Sequence, residues 1–208
     1  MNSCLHLDDL SNIAAEIMSM RRHKTVIAVA IAGPPGSGKS TFAEKLFSKI
    51  GTGACVIPMD GFHLDNIILQ KRGLMSVKGA PQTFNQKGFA QLVLELHSQS
   101  ATTFPTFDRQ GDCVIQDGGK VPPDTSVLLF EGNYLLYNAP GWRGLADKWD
   151  VSIWLDVPYD KLRERLIKRW INHGLPKAVA IKRAENNDLV NAQLVIDNAL
   201  PATWIVSS

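Results

Sequence analysis

Residues 25–41, TVIAVAIAGPPGSGKST, carry the reading of this chain. Thr25 to Ala32 is an apolar, β-branched run of the kind that forms a parallel strand buried on both faces. Gly33 to Thr41 fits the spacing G-x-x-x-x-G-K-[ST], and over Phe42–Ile50 the residues Phe42, Leu46 and Ile50 recur at helical spacing. Strand, glycine loop and helix in that order are the context in which this spacing makes a phosphate cradle. Gly33, Gly36 and Gly38 allow backbone angles and close approach that a Cβ forbids. Pro34 and Pro35 lack an N–H, but every residue from Gly36 through Ser37 to Thr41 has one, and these donors converge at a helix N-terminus whose dipole favours anions. Lys39 is placed to reach the β and γ phosphates and the Ser40 hydroxyl to ligate Mg2+. ATP with Mg2+ is the expected ligand.

The surrounding composition narrows the classes. A chain of 208 residues, 45% hydrophobic, suffices for one α/β domain with a substantial core and is short for two. A net charge of +2 from 22 basic and 20 acidic residues gives no overall field, and hence no case for nucleic acid or an anionic membrane surface as partner. Cys4, Cys55 and Cys113 are odd in number and lack metal-ligand spacing, which fits reduced thiols in a cytoplasmic protein. The first twenty residues, with Asp8, Asp9 and Glu16, read neither as a secretion signal nor as a membrane span. Leu7, Leu10, Ala14, Ile17 and Met18 instead form one stripe, predicting an amphipathic helix over about 5–20.

Four further apolar runs read as parallel strands: Ala54–Met59, Val127–Phe130, Val151–Leu155 and Thr203–Val206. Three end on an acid, Asp60, Glu131 and Asp156, where open α/β sheets bind ligands. Gln86–Ser98 reads as a helix capped by Asn85, and Pro158 opens another running to about Ile171. Asp117-Gly118-Gly119 inside Asp112–Val121 predicts the turn of a small antiparallel hairpin. Two stretches, about 61–90 and 159–190, are expected to act as lids.

Chemistry is expected from few side chains. Asp60, emerging from a buried strand, is the candidate general base for an attacking hydroxyl; the bland alternative is a carboxylate capping the Gly61 turn. His63 lies close enough to contact the acceptor. Glu131 is the candidate Mg2+ carboxylate, with Asn133 and Tyr134 just after it assigned to the acceptor. Asp156 reads as structural. Arg109 suits a forked contact to the acceptor's polar groups, and Asp108 either binds a hydroxyl or pairs with Arg109. Arg165 and Arg169, one helical turn apart, suit triphosphate, with Arg165 stabilising charge during transfer.

The loop GPPGSGKST, the strand end MDGFHLDN, the segments FPTFDRQ and LLFEGNYLL and the helix DKLRERLIKRW come in the order that resembles the phosphoribulokinase/uridine kinase family, to which bacterial pantothenate kinase belongs. KGAPQTFNQKGF and RWINHGLPKAVAIKRAENND look most similar to a subgroup that includes proteins labelled kinases of fructose transport systems. The resemblance implies a three-layer α/β fold like adenylate kinase, with a central parallel sheet of about five strands, and pairing as dimers. It assigns Lys39 and Ser40 to phosphates and metal, Asp60 to hydroxyl activation, Glu131 to the metal, Arg109 to the substrate segment, and Arg165 and Arg169 to a lid. Uridine kinases carry a Tyr soon after the strand-end Asp; Gly61, Phe62 and His63 stand here, which argues against uridine. The implied activity is transfer of the γ-phosphate of ATP to a hydroxyl of a small metabolite, most plausibly a sugar as in a fructokinase. The alternatives are a nucleoside or pantothenate kinase and, in another class, a regulatory ATPase switch. No N-K-x-D or LSGGQ string occurs.

Overall fold

A computed structural model describes residues 3–6 and 9–207. Five parallel strands arise from the five apolar runs: β2 (Ile27–Ala32), β3 (Ala54–Pro58), β6 (Val127–Gly132), β7 (Val151–Asp156) and β8 (Trp204–Ser207). A sixth, β1 (Ser3–His6), pairs in parallel with β8, giving the order β1-β8-β7-β2-β6-β3. Here the expectation of a helix from about residue 5 fails: helix α1 spans Leu10–Met20, and β1 covers the backbone edge of β8 instead. Leu7 of the predicted stripe lies outside the described residues.

β2 sits in mid-sheet, in register with β6 on one side and β7 on the other. Its alternation decides both faces. Ile27, Val29 and Ile31 pack with Ile13 and Ile17 of α1 and with Phe42 and Leu46 of α2 (Lys39–Ile50). Ala28, Ala30 and Ala32 face the other way, where their small side chains admit Phe130, Tyr134 and Trp142 together with Phe89 of α4. That helix runs Gln86–His97 after the short α3 (Asn66–Lys71), and Asn85 caps it by accepting the Gly88 N–H at 3.1 Å, as expected. Each fully buried large side chain contributes about 1.5–3 kcal/mol by leaving water, so the sheet is held from both sides.

β4 (Thr103–Asp108) and β5 (Cys113–Lys120) form the antiparallel hairpin off the main sheet. Its turn is not Asp117-Gly118-Gly119. The chain reverses between Asp108 and Cys113, which face each other, and Asp112 takes a positive φ of 49°. Gly118 and Gly119 lie within β5 because their lack of a Cβ makes room for β4. A Cβ on Gly119 would sit 2.2 Å from the Phe104 ring, and one on Gly118 1.9 Å from Thr106 Oγ1. The register slips between Phe104 and Thr106 at the same place.

After β7 come α5 (Tyr159–Asn172) and α6 (Lys177–Arg183), then one widened π-helical turn over Ala184–Asp188 and α7 (Leu189–Asp197). Leu162 and Leu166 of α5 pack against Ala184, Leu189 and Ala192. Among the described residues no helix is long and apolar enough to cross a membrane.

Candidate active site

The loop 33–38 leaves the C-terminal end of β2 and turns directly into α2. Gly36 (φ 82°) and Gly38 (φ 91°) adopt the left-handed backbone that side chains resist. The Ser37 N–H is used inside the loop, donated to Pro34 O at 3.1 Å, so it does not join the converging amides as expected. Those of Gly38 to Thr41 stand at the first turn of α2, where a helix leaves its N–H groups without internal partners. Lys39 folds back over the loop, its Nζ donating to Pro34 O at 3.0 Å and Ser37 Oγ at 3.4 Å. Burial holds its ammonium down to about pKa 8, opposed by the nearby carboxylates of Glu131 and Asp60.

Two acids converge on this lysine. Glu131, the penultimate residue of β6, is buried and accepts the Ser40 hydroxyl at Oε1, 3.0 Å away. Burial, and then the charge of Asp60, raise its carboxyl above the usual range, while Lys39 and the Ser40 hydroxyl pull it back. Asp60 lies in the 3-10 turn Met59–Phe62 after β3, and its Oδ2 accepts from Arg109 Nη2 at 2.8 Å. Arg109 stands at the tip of the β4–β5 hairpin. The two backbones meet at Gly61, where even a Cβ would lie 2.0 Å from Pro105 O, so glycine is the residue that lets the hairpin press on the acid-bearing turn.

Loop and acids line one open cleft of about 450 Å³. Ser40, Thr41, His63, Asn133, Arg165 and Arg169 line it as well. His63 is sandwiched between Phe84 and Phe107, with ring centroids 4.1 and 4.7 Å away, and burial lowers its pKa. Its Nδ1 lies 2.8 Å from Asp60 O. Because a carbonyl can only accept, Nδ1 carries the proton and Nε2 is the acceptor. Arg165 reaches over the loop to the carbonyls of Gly36 and Ser37, both at 3.3 Å. Arg169 is half-buried over the Trp170 ring, with its Nε unpartnered and its pKa lowered chiefly by burial.

Two expected residues stand elsewhere. Tyr134 is fully buried among aromatic side chains and donates its hydroxyl to Gly79 O at 2.6 Å, so it supports the cleft wall from behind. Asp108 accepts the Gln110 N–H at 2.9 Å and shapes the hairpin turn. Asp156 is exposed at the end of β7, in keeping with its structural reading. Conversely, Lys78, Arg183, Asp188 and Asn191 line the cleft without having been expected there. Neither spacing nor periodicity marks them; the odd run AENND before an apolar helix was the one available cue. A second, mostly apolar hollow of about 360 Å³ adjoins the loop, lined by Thr41, Phe42, Lys45, Leu155, Arg165 and Val206.

The profile of the Phosphoribulokinase / Uridine kinase family matches residues 26–175. A Schizosaccharomyces pombe protein provisionally named a uridine kinase is 34% identical over 92% of this chain and 86% of its own. A Yersinia enterocolitica pantothenate kinase is 30% identical over 69% of this chain, but this covers only 49% of that longer protein. A crystal structure from Silicibacter sp. TM1040, provisionally described as a fructose transport system kinase, superposes with a TM-score of 0.90 at 43% identity, covering 94% of this chain and 98% of that one.

Proposed function

Because the chain belongs to the phosphoribulokinase/uridine kinase family of P-loop kinases, which phosphorylate small molecules with ATP, we propose that it transfers the γ-phosphate to a hydroxyl of a sugar, with fructose the first candidate. The observation that carries this reading is the convergence of Lys39, the Ser40–Glu131 pair and the Asp60–Arg109 pair on one cleft.

In this reading the triphosphate lies along the loop, held by the first-turn amides of α2, Lys39, Arg165 and Arg169, while the base occupies the apolar hollow beside Thr41 and Val206. Ser40 and Glu131 offer a hydroxyl and a carboxylate, hard oxygen donors that would hold Mg2+. Bound there, Mg2+ would supply charge neutralisation for the transferred group. Asp60 accepts the proton of the acceptor hydroxyl, with Arg109 fixing the orientation of its carboxylate and His63 Nε2 accepting a second hydroxyl. The segments 61–90 and 159–190 act as lids that exclude water during transfer. Gly61, Phe62 and His63 in place of a tyrosine favour a sugar over uridine. A cytoplasmic enzyme paired as a dimer completes the reading.

The test is an ADP-formation screen over monosaccharides, nucleosides and pantothenate with magnesium present. A sugar that accelerates ADP formation many-fold over the acceptor-free rate supports the proposal. Equal rates with and without every acceptor point to a regulatory ATPase and refute it, and acceleration by a nucleoside or pantothenate alone refutes the sugar.

A further inference from the structure

Resting on that kinase reading, we infer that the acceptor is an uncharged, polyhydroxylated molecule whose distal hydroxyls are held by Asp188 and Asn191, presented by the widened turn that opens α7. The widened turn is the first observation. Over Ala184–Asp188 the helix inserts an extra residue into its repeat, a local distortion that costs regular hydrogen bonding and recurs at binding sites. Three polar side chains, Asn187, Asp188 and Asn191, are buried at this turn and at the start of α7. Asn187 has a structural task, donating to Lys78 O at 2.9 Å and so fastening the turn to the segment opposite.

Asp188 and Asn191 have spare capacity. Asp188 accepts the Trp170 indole N–H at Oδ2, and Oδ1 has no partner among the described residues. Asn191 is 5% exposed, lines the cleft, and makes one side-chain contact, a long 3.4 Å donation to Asn187 Oδ1 that leaves its own Oδ1 open. Both residues line the cleft, where each can take a hydrogen bond from a ligand that donates one. Hydroxyl groups do so, whereas a carboxylate or phosphate, which only accepts, does not.

The charge of the cleft points the same way. Its lining holds six cations (Lys39, Lys78, Arg109, Arg165, Arg169 and Arg183) against four carboxylates (Asp60, Asp112, Glu131 and Asp188), an excess of two positive charges. A magnesium-bound triphosphate, of net charge about −2, takes up that excess. Of the cations on the acceptor side, Lys78 is paired with Asp112 at 2.7 Å and Arg109 with Asp60 at 2.8 Å, and Arg183 stands by the carboxylate of Asp188. The lining therefore leaves no net positive charge for an anionic acceptor once the nucleotide is bound.

The experiment measures ADP formation with neutral D-fructose, D-ribose and sorbitol against fructose 6-phosphate, ribose 5-phosphate and gluconate. A neutral acceptor is expected to show a higher kcat/KM than its charged congener. Asn191→Ala is expected to raise the KM of that acceptor at least tenfold, with kcat within threefold and the KM for ATP within twofold; Asp188→Asn is expected to act in the same direction. Asn191→Ser substitutes if the alanine variant unfolds early, as judged by its thermal transition. A charged congener that outperforms its neutral parent overturns this inference while leaving the kinase reading intact, as does an unchanged acceptor KM in both variants. ADP formation indifferent to every acceptor overturns the kinase reading itself and this inference with it.

Discussion

Replacing Gly61 with alanine tests whether the hairpin positions Asp60, the proposed general base. The added Cβ would fall 2.0 Å from Pro105 O and 2.5 Å from Pro105 C, both backbone atoms that cannot rotate aside. To reach even a 3.0 Å contact, the acid-bearing turn and the hairpin must part by about 1 Å. Asp60 and Arg109 sit on opposite sides of that seam, so their 2.8 Å contact stretches to a separation at which a hydrogen bond no longer forms. Displacing a reacting group by about 1 Å costs on the order of 10²-fold in rate. Overpacking of this kind also costs about 1–3 kcal/mol, equivalent to a fall in Tm of roughly 2–12 °C for a chain of this size. The assay is steady-state ADP formation with the best acceptor, alongside a thermal melt and ATP affinity. Expected are a kcat about 10²-fold lower and an ATP affinity within twofold of the parent. Gly144→Ala, where a Cβ meets nothing within 4 Å, is the matched control and should be silent. A Gly61→Ala enzyme that keeps its turnover within twofold and its Tm within 1 °C would refute the view that the hairpin fixes Asp60.

Three further outcomes follow from particular side chains. Asp60→Asn should leave ATP affinity nearly intact and reduce kcat by about 10²–10⁴-fold; unchanged turnover removes Asp60 as base. His63, whose pKa is lowered by burial, takes up its proton later than an unfolded histidine, so its share of stability is intact above about pH 6.5 and is lost as pH falls towards its depressed folded value. The acid side of a Tm-versus-pH profile should therefore flatten in His63→Phe, and an unaltered slope contradicts the assignment. Cys55, its thiol pushed up to about 11 by burial, should resist iodoacetamide at pH 8 while exposed Cys113 is alkylated within minutes, as read by peptide mass spectrometry; equal labelling contradicts the burial.

What was legible in the sequence follows from how each signal is carried. β2 and β6 announce themselves because both faces are buried, so nearly every residue of IAVAIA and VLLF must be apolar. The loop is legible because phosphate binding demands glycine, lysine and serine at fixed spacing, and Asn85 because capping is local. Glycine misled at Gly118 and Gly119, since a tight turn and a close strand contact require the same missing Cβ, and only the partner strand distinguishes them. β1 is four residues on an edge, SCLH, with no alternation to read. Tyr134 and Asp108 have the right chemistry for a site and the right neighbours in sequence, yet Tyr134 is buried behind the wall and Asp108 is engaged in the hairpin turn. Asp188 and Asn191 reach the cleft through a helical irregularity that periodic reading treats as noise.

Lys78 has a further consequence. Its ammonium holds Asn66 Oδ1 and Asp112 Oδ1, both at 2.7 Å, while its carbonyl receives Asn187, so one residue joins α3, the hairpin tip and the widened turn. The phosphate loop, by contrast, is braced by the sheet. In the proposed reading, selectivity for the molecule to be phosphorylated thus rests on a support of its own, joined to the transfer machinery at the Gly61–Pro105 seam and the Asp60–Arg109 contact. Directed evolution towards new acceptors has a natural boundary here: libraries drawn from positions 63–84, 107–112 and 183–191 can explore widely, provided Lys78 with its partners Asp112 and Asn187, Arg109, and residues 33–41 are left alone.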